Sequence, residues 1–105
     1  KKLYLHVAEL ACNINIHNNN IGLVVGATKN NQMKSIREAS KGLPWLIPGV
    51  GFQGGSLEDS IKIGSEYNSV PIINISRGII YAGDGSIDDI RLATEDYTKK
   101  IRNVL

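Results

Sequence analysis

The strongest constraint on this sequence is an alternation. Short aliphatic runs that end on turn residues are separated by stretches with helical spacing. The runs are Ile21-Gly22-Leu23-Val24-Val25-Gly26, Trp45-Leu46-Ile47 and Val70 to Ile75. The first does not alternate apolar with polar residues, which predicts a strand covered on both faces, as in a parallel sheet. Met33, Ile36 and Ala39 mark a helix over Gln32 to Ser40, with Thr28 placed to cap it and Gly42 to stop it. Leu57, Ile61 and Gly64 give the inner face of the next helix, which Ser56 caps, with Glu58 and Asp59 at its positive end. After the Asp84-Gly85 turn, the stripe Ile87, Ile90, Thr94, Tyr97, Ile101 and Val104 marks a last helix. A first helix precedes all of these. Leu3, Val7, Leu10 and Ile14 share one of its faces, and the polar run His17-Asn18-Asn19-Asn20 ends it. The order α-β-α-β-α-β-α predicts an α/β fold of parallel βα units joined by right-handed crossovers.

The chain has 105 residues with no linker, low-complexity stretch or repeat, so residues 1–105 are expected to form a single segment. Three strands are few for a parallel fold. A complete (β/α)8 barrel takes about 250 residues, so the pattern reads as part of a larger α/β structure. Lys1 is not an initiator Met, which also suggests a processed, cut or partial chain. A hydrophobic fraction of 42% with 21% charged residues excludes disorder. No apolar run approaches the roughly 18 residues of a membrane span, and no secretory leader opens the chain. The net charge of +2 is interspersed and aromatics are few, so a nucleic-acid partner has no electrostatic or stacking footprint. The single Cys12 excludes an internal disulfide and a CxxC motif, and a reducing, cytoplasmic setting is expected.

In parallel α/β folds the functional loops follow the C-terminal ends of the strands. Those ends are Gly26-Ala27-Thr28, Pro48 to Gly55, and Ser76-Arg77-Gly78. Four glycines fall within the seven residues 49–55, including Gly51 and Gly54. Glycine allows positive φ and close backbone approach, and amides beside a helix start suit an anion. A phosphate-binding loop is therefore expected, against the plainer reading of a flexible turn. Gln53 in this loop both donates and accepts. Arg77 ends the next strand, about 5 Å away by sheet spacing, and its guanidinium fork suits a phosphate. A surface salt bridge is the plainer reading of Arg77, and helix capping that of Thr28.

Gly49-Val50-Gly51-Phe52-Gln53-Gly54 also spells the dinucleotide fingerprint. The acidic residue expected after the following strand is replaced by Asn74 and Ser76-Arg77, and Pro48 fits a first βαβ unit poorly. No Walker lysine follows the glycines, which excludes a P-loop NTPase. His6, His17 and Cys12 have no ligand-spaced or catalytic partners, and Asp88, Asp89, Glu95 and Asp96 read as a solvated helix face. From the residues alone, a stand-alone phosphate- or nucleotide-binding module remains open, with an NADP-binding unit as its least favoured form.

Three stretches resemble a known family: Gly22 to Thr28, Leu46 to Gly55 with its Pro48-Gly49-Val50-Gly51-Phe52-Gln53-Gly54-Gly55, and Ile73 to Ala82 with its Ser76-Arg77-Gly78. In order and spacing they look like the last three barrel strands of orotidine 5′-phosphate decarboxylases, most closely the longer bacterial-type branch. The resemblance implies the C-terminal three strands of a TIM (β/α)8 barrel. The activity it implies is conversion of orotidine 5′-phosphate to UMP and CO2 in pyrimidine biosynthesis, with no cofactor. It implies that Gln53 reaches the substrate phosphate and pyrimidine, that Arg77 holds the phosphate, and that the backbone at Ser76 and Arg77 donates to it. The family's catalytic Asp-x-Lys-x-x-Asp array has no match here, so the segment alone is expected to be inactive. A homo-oligomer, or association with the N-terminal part of the barrel, is the implied assembly.

Overall fold

Residues alternate in burial along each strand, and this sets the architecture. In the computed structural model, which describes residues 1–27, 29–51 and 56–105, the strands are β1 (Leu23–Val24), β2 (Trp45–Ile47) and β3 (Pro71–Ile73). They form one parallel sheet in the order β1-β2-β3, with Val24 beside Leu46 and Ile47 beside Ile73. The helices are α1 (Leu3–Asn18), α2 (Asn30–Ser40), α3 (Leu57–Gly64), α4 (Arg77–Ile80) and α5 (Ile87–Val104), with a 3₁₀ turn at Glu66–Asn68. Parallel neighbours in chain order, each pair bridged by a helix, match the expected βα units. Among the described residues, no helix is long and apolar enough to cross a membrane.

The core lies on one side of the sheet. Val25, Trp45 and Ile47 meet Met33 of α2 and Ile63 of α3, with Ile36, Leu57 and Ile73 packed around them. α1 packs on α2, α2 on α3, and α3 on α5. Ser56 caps α3 as expected, its Oγ accepting the Asp59 amide at 3.2 Å. Ser86 caps α5 in the same way, at 3.1 Å from the Asp89 amide.

At the N-terminal ends of the strands the core closes over a charge that sequence reading did not single out. Arg37 of α2 is fully buried. Its guanidinium donates to the carbonyls of Leu43 at 2.6 Å and Gly64 at 3.1 Å, and to Ser40 Oγ at 3.3 Å. It also stacks 4.0 Å from the centroid of the Trp45 ring. Trp45 Nε1 donates to the same Ser40 Oγ, and Ser69 Oγ donates to the Leu43 carbonyl. One cation thus ties the end of α2, the approach to β2 and the end of α3 together.

Several expectations are corrected. The run over 21–26 predicts cover on both faces of its strand, yet Val24 is 69% exposed, and its neighbours across the sheet, Leu46 and Ile72, are 40% and 55% exposed. The helices lie against the other face only, so the aliphatic residues pointing away from them stay bare. The stripe Leu3, Val7, Leu10 and Ile14 is likewise exposed, because α1 meets its neighbour through Ala8 and Cys12, whose Sγ lies 3.5 Å from the Ala39 carbonyl. The cap position of α2 is Lys29, with no side-chain cap bond; Thr28 lies outside the described residues. Arg77 and Gly78, expected at the end of the third strand, instead open α4, which runs to Ile80. The radius of gyration, 15.1 Å, exceeds the roughly 13 Å of a compact domain of this length, as a section of barrel wall should.

Candidate functional site

The C-terminal ends of the strands are brought level by the sheet. The Ile47 carbonyl accepts the Asn74 amide at 3.1 Å, and the Pro48 carbonyl accepts the Ala27 amide at 2.9 Å. Just beyond, the chain turns on Gly49 at φ 88° and Gly51 at φ 77°, conformations that side-chain-bearing residues rarely adopt. Between these glycines Val50 drops into the core, which pins the turn to the sheet. On the neighbouring strand end, Asn74 Nδ2 donates to Ser76 Oγ at 3.4 Å, and Ser76 precedes the first turn of α4.

These two strand ends enclose a cavity of about 90 Å³. Pro48, Gly49 and Val50 form one wall, and Asn74, Ser76, Arg77 and Gly78 the other. The structure therefore brings Pro48, Ser76 and Arg77 to one place, with Gly51 next to the wall. Gln53, Gly54 and Thr28 lie outside the described residues. Asn74 and Gly78 belong to the same wall. The sequence signal for them was their adjacency to Ser76-Arg77 at a strand end; Asn74 had been weighed only as a failed match to the dinucleotide fingerprint.

The remaining candidates do not gather. Burial raises the Cys12 thiol pKa, which disfavours a nucleophilic thiolate. Arg91 pairs with Asp88 and Glu95, Lys100 pairs with Asp96, and Asp89 accepts the Asp84 amide, so those carboxylates are engaged on and around α5. Among the described residues, no group of three or more His, Cys, Asp or Glu side chains could hold a metal ion. A larger groove of about 500 Å³ runs between α1 and β1, but aliphatic residues such as Leu3, Val7 and Val24 dominate it and it offers no chemistry.

A wall of parallel βα units with a polar cavity at the C-terminal strand ends is the arrangement of (β/α)8-barrel enzymes. No family model matches the chain. Individual relatives do. The orotidine 5′-phosphate decarboxylase of Halobacterium salinarum is 44% identical over 84 residues, covering 80% of this chain and 32% of that protein. The solved UMP synthase of Leishmania donovani superposes with a TM-score of 0.86 at 37% identity, over 99% of this chain and 22% of that one. The OMP decarboxylase of the same organism gives 0.83 at 33% identity, over 99% and 38%. The chain belongs to the orotidine 5′-phosphate decarboxylase family, and its three parallel βα units superpose on part of that family's fold. It spans about a third of the length of the curated relatives it matches.

Proposed function

We propose that this chain is the phosphate-gripping, C-terminal part of an orotidine 5′-phosphate decarboxylase. The observation that carries the reading is the cavity between Pro48–Gly49–Val50 and Asn74–Ser76–Arg77–Gly78. It combines a guanidinium with a tight turn of positive-φ glycines, whose amides suit an oxyanion. The Gly78 amide belongs to the first turn of α4, where the helix itself supplies no acceptor. Gln53 and Gly54, which follow in the sequence, are assigned to the same ligand, and Thr28 is a further candidate for contact with it.

A phosphate held here lies remote from the reacting ring. Its binding energy serves to orient the substrate and to stabilise the transition state elsewhere. Arg77, Gln53 and the loop amides are thus binding groups. The Asp and Lys residues that act on the ring belong to further βα units, with which the bare sheet face of Val24, Leu46 and Ile72 is suited to pack. Orotidine 5′-phosphate and UMP are the proposed ligands, without a cofactor.

Two measurements test this. The 105-residue chain alone is expected to show no turnover of orotidine 5′-phosphate; measurable CO2 release would refute the assignment of the reacting groups to other units. In a decarboxylase carrying this segment, Arg77→Ala is expected to lower kcat/KM by about 2–5 kcal/mol of transition-state stabilisation. An unchanged kcat/KM would remove Arg77 from the site.

A further inference from the structure

The sequence assigns the glycines of residues 49–55 to the close approach of a ligand. At Gly51, and at Gly78 across the cavity, the structure shows a different close neighbour. A methyl group built on Gly78 would stand 2.5 Å from the hydroxyl oxygen of Tyr97 and 3.2 Å from its Cζ. One built on Gly51 would stand 3.1 Å from the same oxygen. Gly78 is not in the left-handed region, so its backbone does not require glycine. The space taken by Tyr97 does.

Tyr97 lies on α5, which packs against both α3 and α4. Its ring is bordered by Lys100, whose Nζ is 5.5 Å from the ring centroid and is itself held by Asp96 at 2.9 Å. The hydroxyl therefore reaches from a fixed helix into the gap between two loops. One is the turn after β2 at Gly51. The other is the first turn of α4 at Gly78, the residue following Arg77. Gly78 lines the cavity, whereas Tyr97 is absent from its lining, so Tyr97 touches the wall from behind.

We infer that Tyr97 is a positioning residue for this cavity: its hydroxyl is a spacer that sets the distance between Gly51 and Gly78, and with it the placement of Arg77. The link to ligand binding rests on the phosphate reading above; the spacer itself does not. The geometry gives a specific compensation. Gly78→Ala adds a methyl where the hydroxyl stands and drives the two walls apart. Tyr97→Phe vacates that oxygen and removes the closest contact, leaving the ring carbon at 3.2 Å and Ile75 Cγ2 at 3.3 Å to give by a few tenths of an ångström.

The test uses the 105-residue chain and the variants Tyr97→Phe, Gly78→Ala and the double variant. In ligand-free protein, amide hydrogen exchange at Gly51 and Gly78 is expected to rise about threefold or more in Tyr97→Phe, with Gly64 at the far end of the sheet unchanged. Equal exchange in wild type and variant overturns the spacer. In titrations with UMP and with inorganic phosphate, Gly78→Ala is expected to weaken binding about tenfold, and the double variant to recover part of it, about threefold or more. A double variant no better than Gly78→Ala also overturns the spacer. If exchange responds as expected but wild type binds neither UMP nor phosphate, the spacer stands and the phosphate reading falls.

Discussion

Arg37 and Arg77 stand at opposite ends of one sheet and in opposite surroundings. Arg37, at the N-terminal ends of the strands, is enclosed, and its guanidinium is committed to backbone carbonyls, a serine and the face of Trp45. Arg77, at the C-terminal ends, is exposed and forms part of a polar cavity. A buried cation whose donors reach several elements holds those elements together; an exposed cation that lines a cavity lies where a ligand can reach it. The same division between a stabilising lower rim and a chemical upper rim runs through (β/α)8 barrels generally.

The largest expected effect breaks the lower rim. Arg37→Ala leaves the carbonyls of Leu43 and Gly64 without this donor and opens a cavity beside Trp45. Together these should cost about 3–5 kcal/mol in urea denaturation. Arg77→Ala, at an exposed position, should cost clearly less in the same measurement, about 1 kcal/mol or below. Equal losses would abolish the contrast between the rims. Proton linkage sharpens it. Burial pushes the Arg37 pKa down to about 10, well below the ordinary arginine value, so the unfolded chain holds this proton to higher pH than the folded one. Arg37 therefore stays charged at neutral pH, and its contribution to stability rises as pH climbs above about 10. The stability gap between wild type and Arg37→Ala should widen across that value; a constant gap would show that the folded state holds the proton as firmly as the unfolded chain does.

Gly64 provides the next test at the lower rim. A methyl group there would meet Pro71 Cβ at 2.9 Å and Ile47 Cδ1 at 3.0 Å. Gly64→Ala should cost about 1–3 kcal/mol through overpacking. A thermal midpoint equal to wild type would mean that α3 slides freely over β3, and the lower rim would lose its claim to be the rigid one.

Much of this was legible in the residues. Strand positions, helix order and the Ser56 cap follow from local rules of spacing and hydrogen bonding, and the chain supplies everything those rules need. Arg77 stood out because it ends a strand beside a glycine-dense turn. Arg37 did not, because a lysine- and arginine-bearing helix reads as solvated until the fold places Leu43 and Gly64 around one of its side chains. Tyr97 was read as one member of a helix stripe, and nothing local shows that its hydroxyl reaches two loops. The bare face taught the opposite lesson. The non-alternating run over 21–26 promised cover on both sides, and the helices of this chain cover one. Val24, Leu46 and Ile72 stay bare on the side away from them.

The smallest effect belongs to the upper rim and concerns Ser56. Its side chain accepts the Asp59 amide at the start of α3, directly after the glycine loop. Its own carbonyl accepts from Ser60 Oγ at 2.6 Å, a bond that a change of side chain leaves in place. Ser56→Ala removes one cap acceptor from an exposed helix end, where water replaces it, and should cost about 1 kcal/mol. Ser56→Asp keeps an acceptor and adds a negative charge at the positive end of the helix, so it should restore stability. The same charge directly follows, in sequence, the glycine-dense stretch assigned to the phosphate and should weaken UMP binding. Stability and affinity are thus expected to move in opposite directions at this residue, whereas at Arg37 and Gly64 any loss of affinity should only follow loss of fold. Should Ser56→Asp raise both together, the upper rim would be governed by folding alone, and its separation from the lower one would fail.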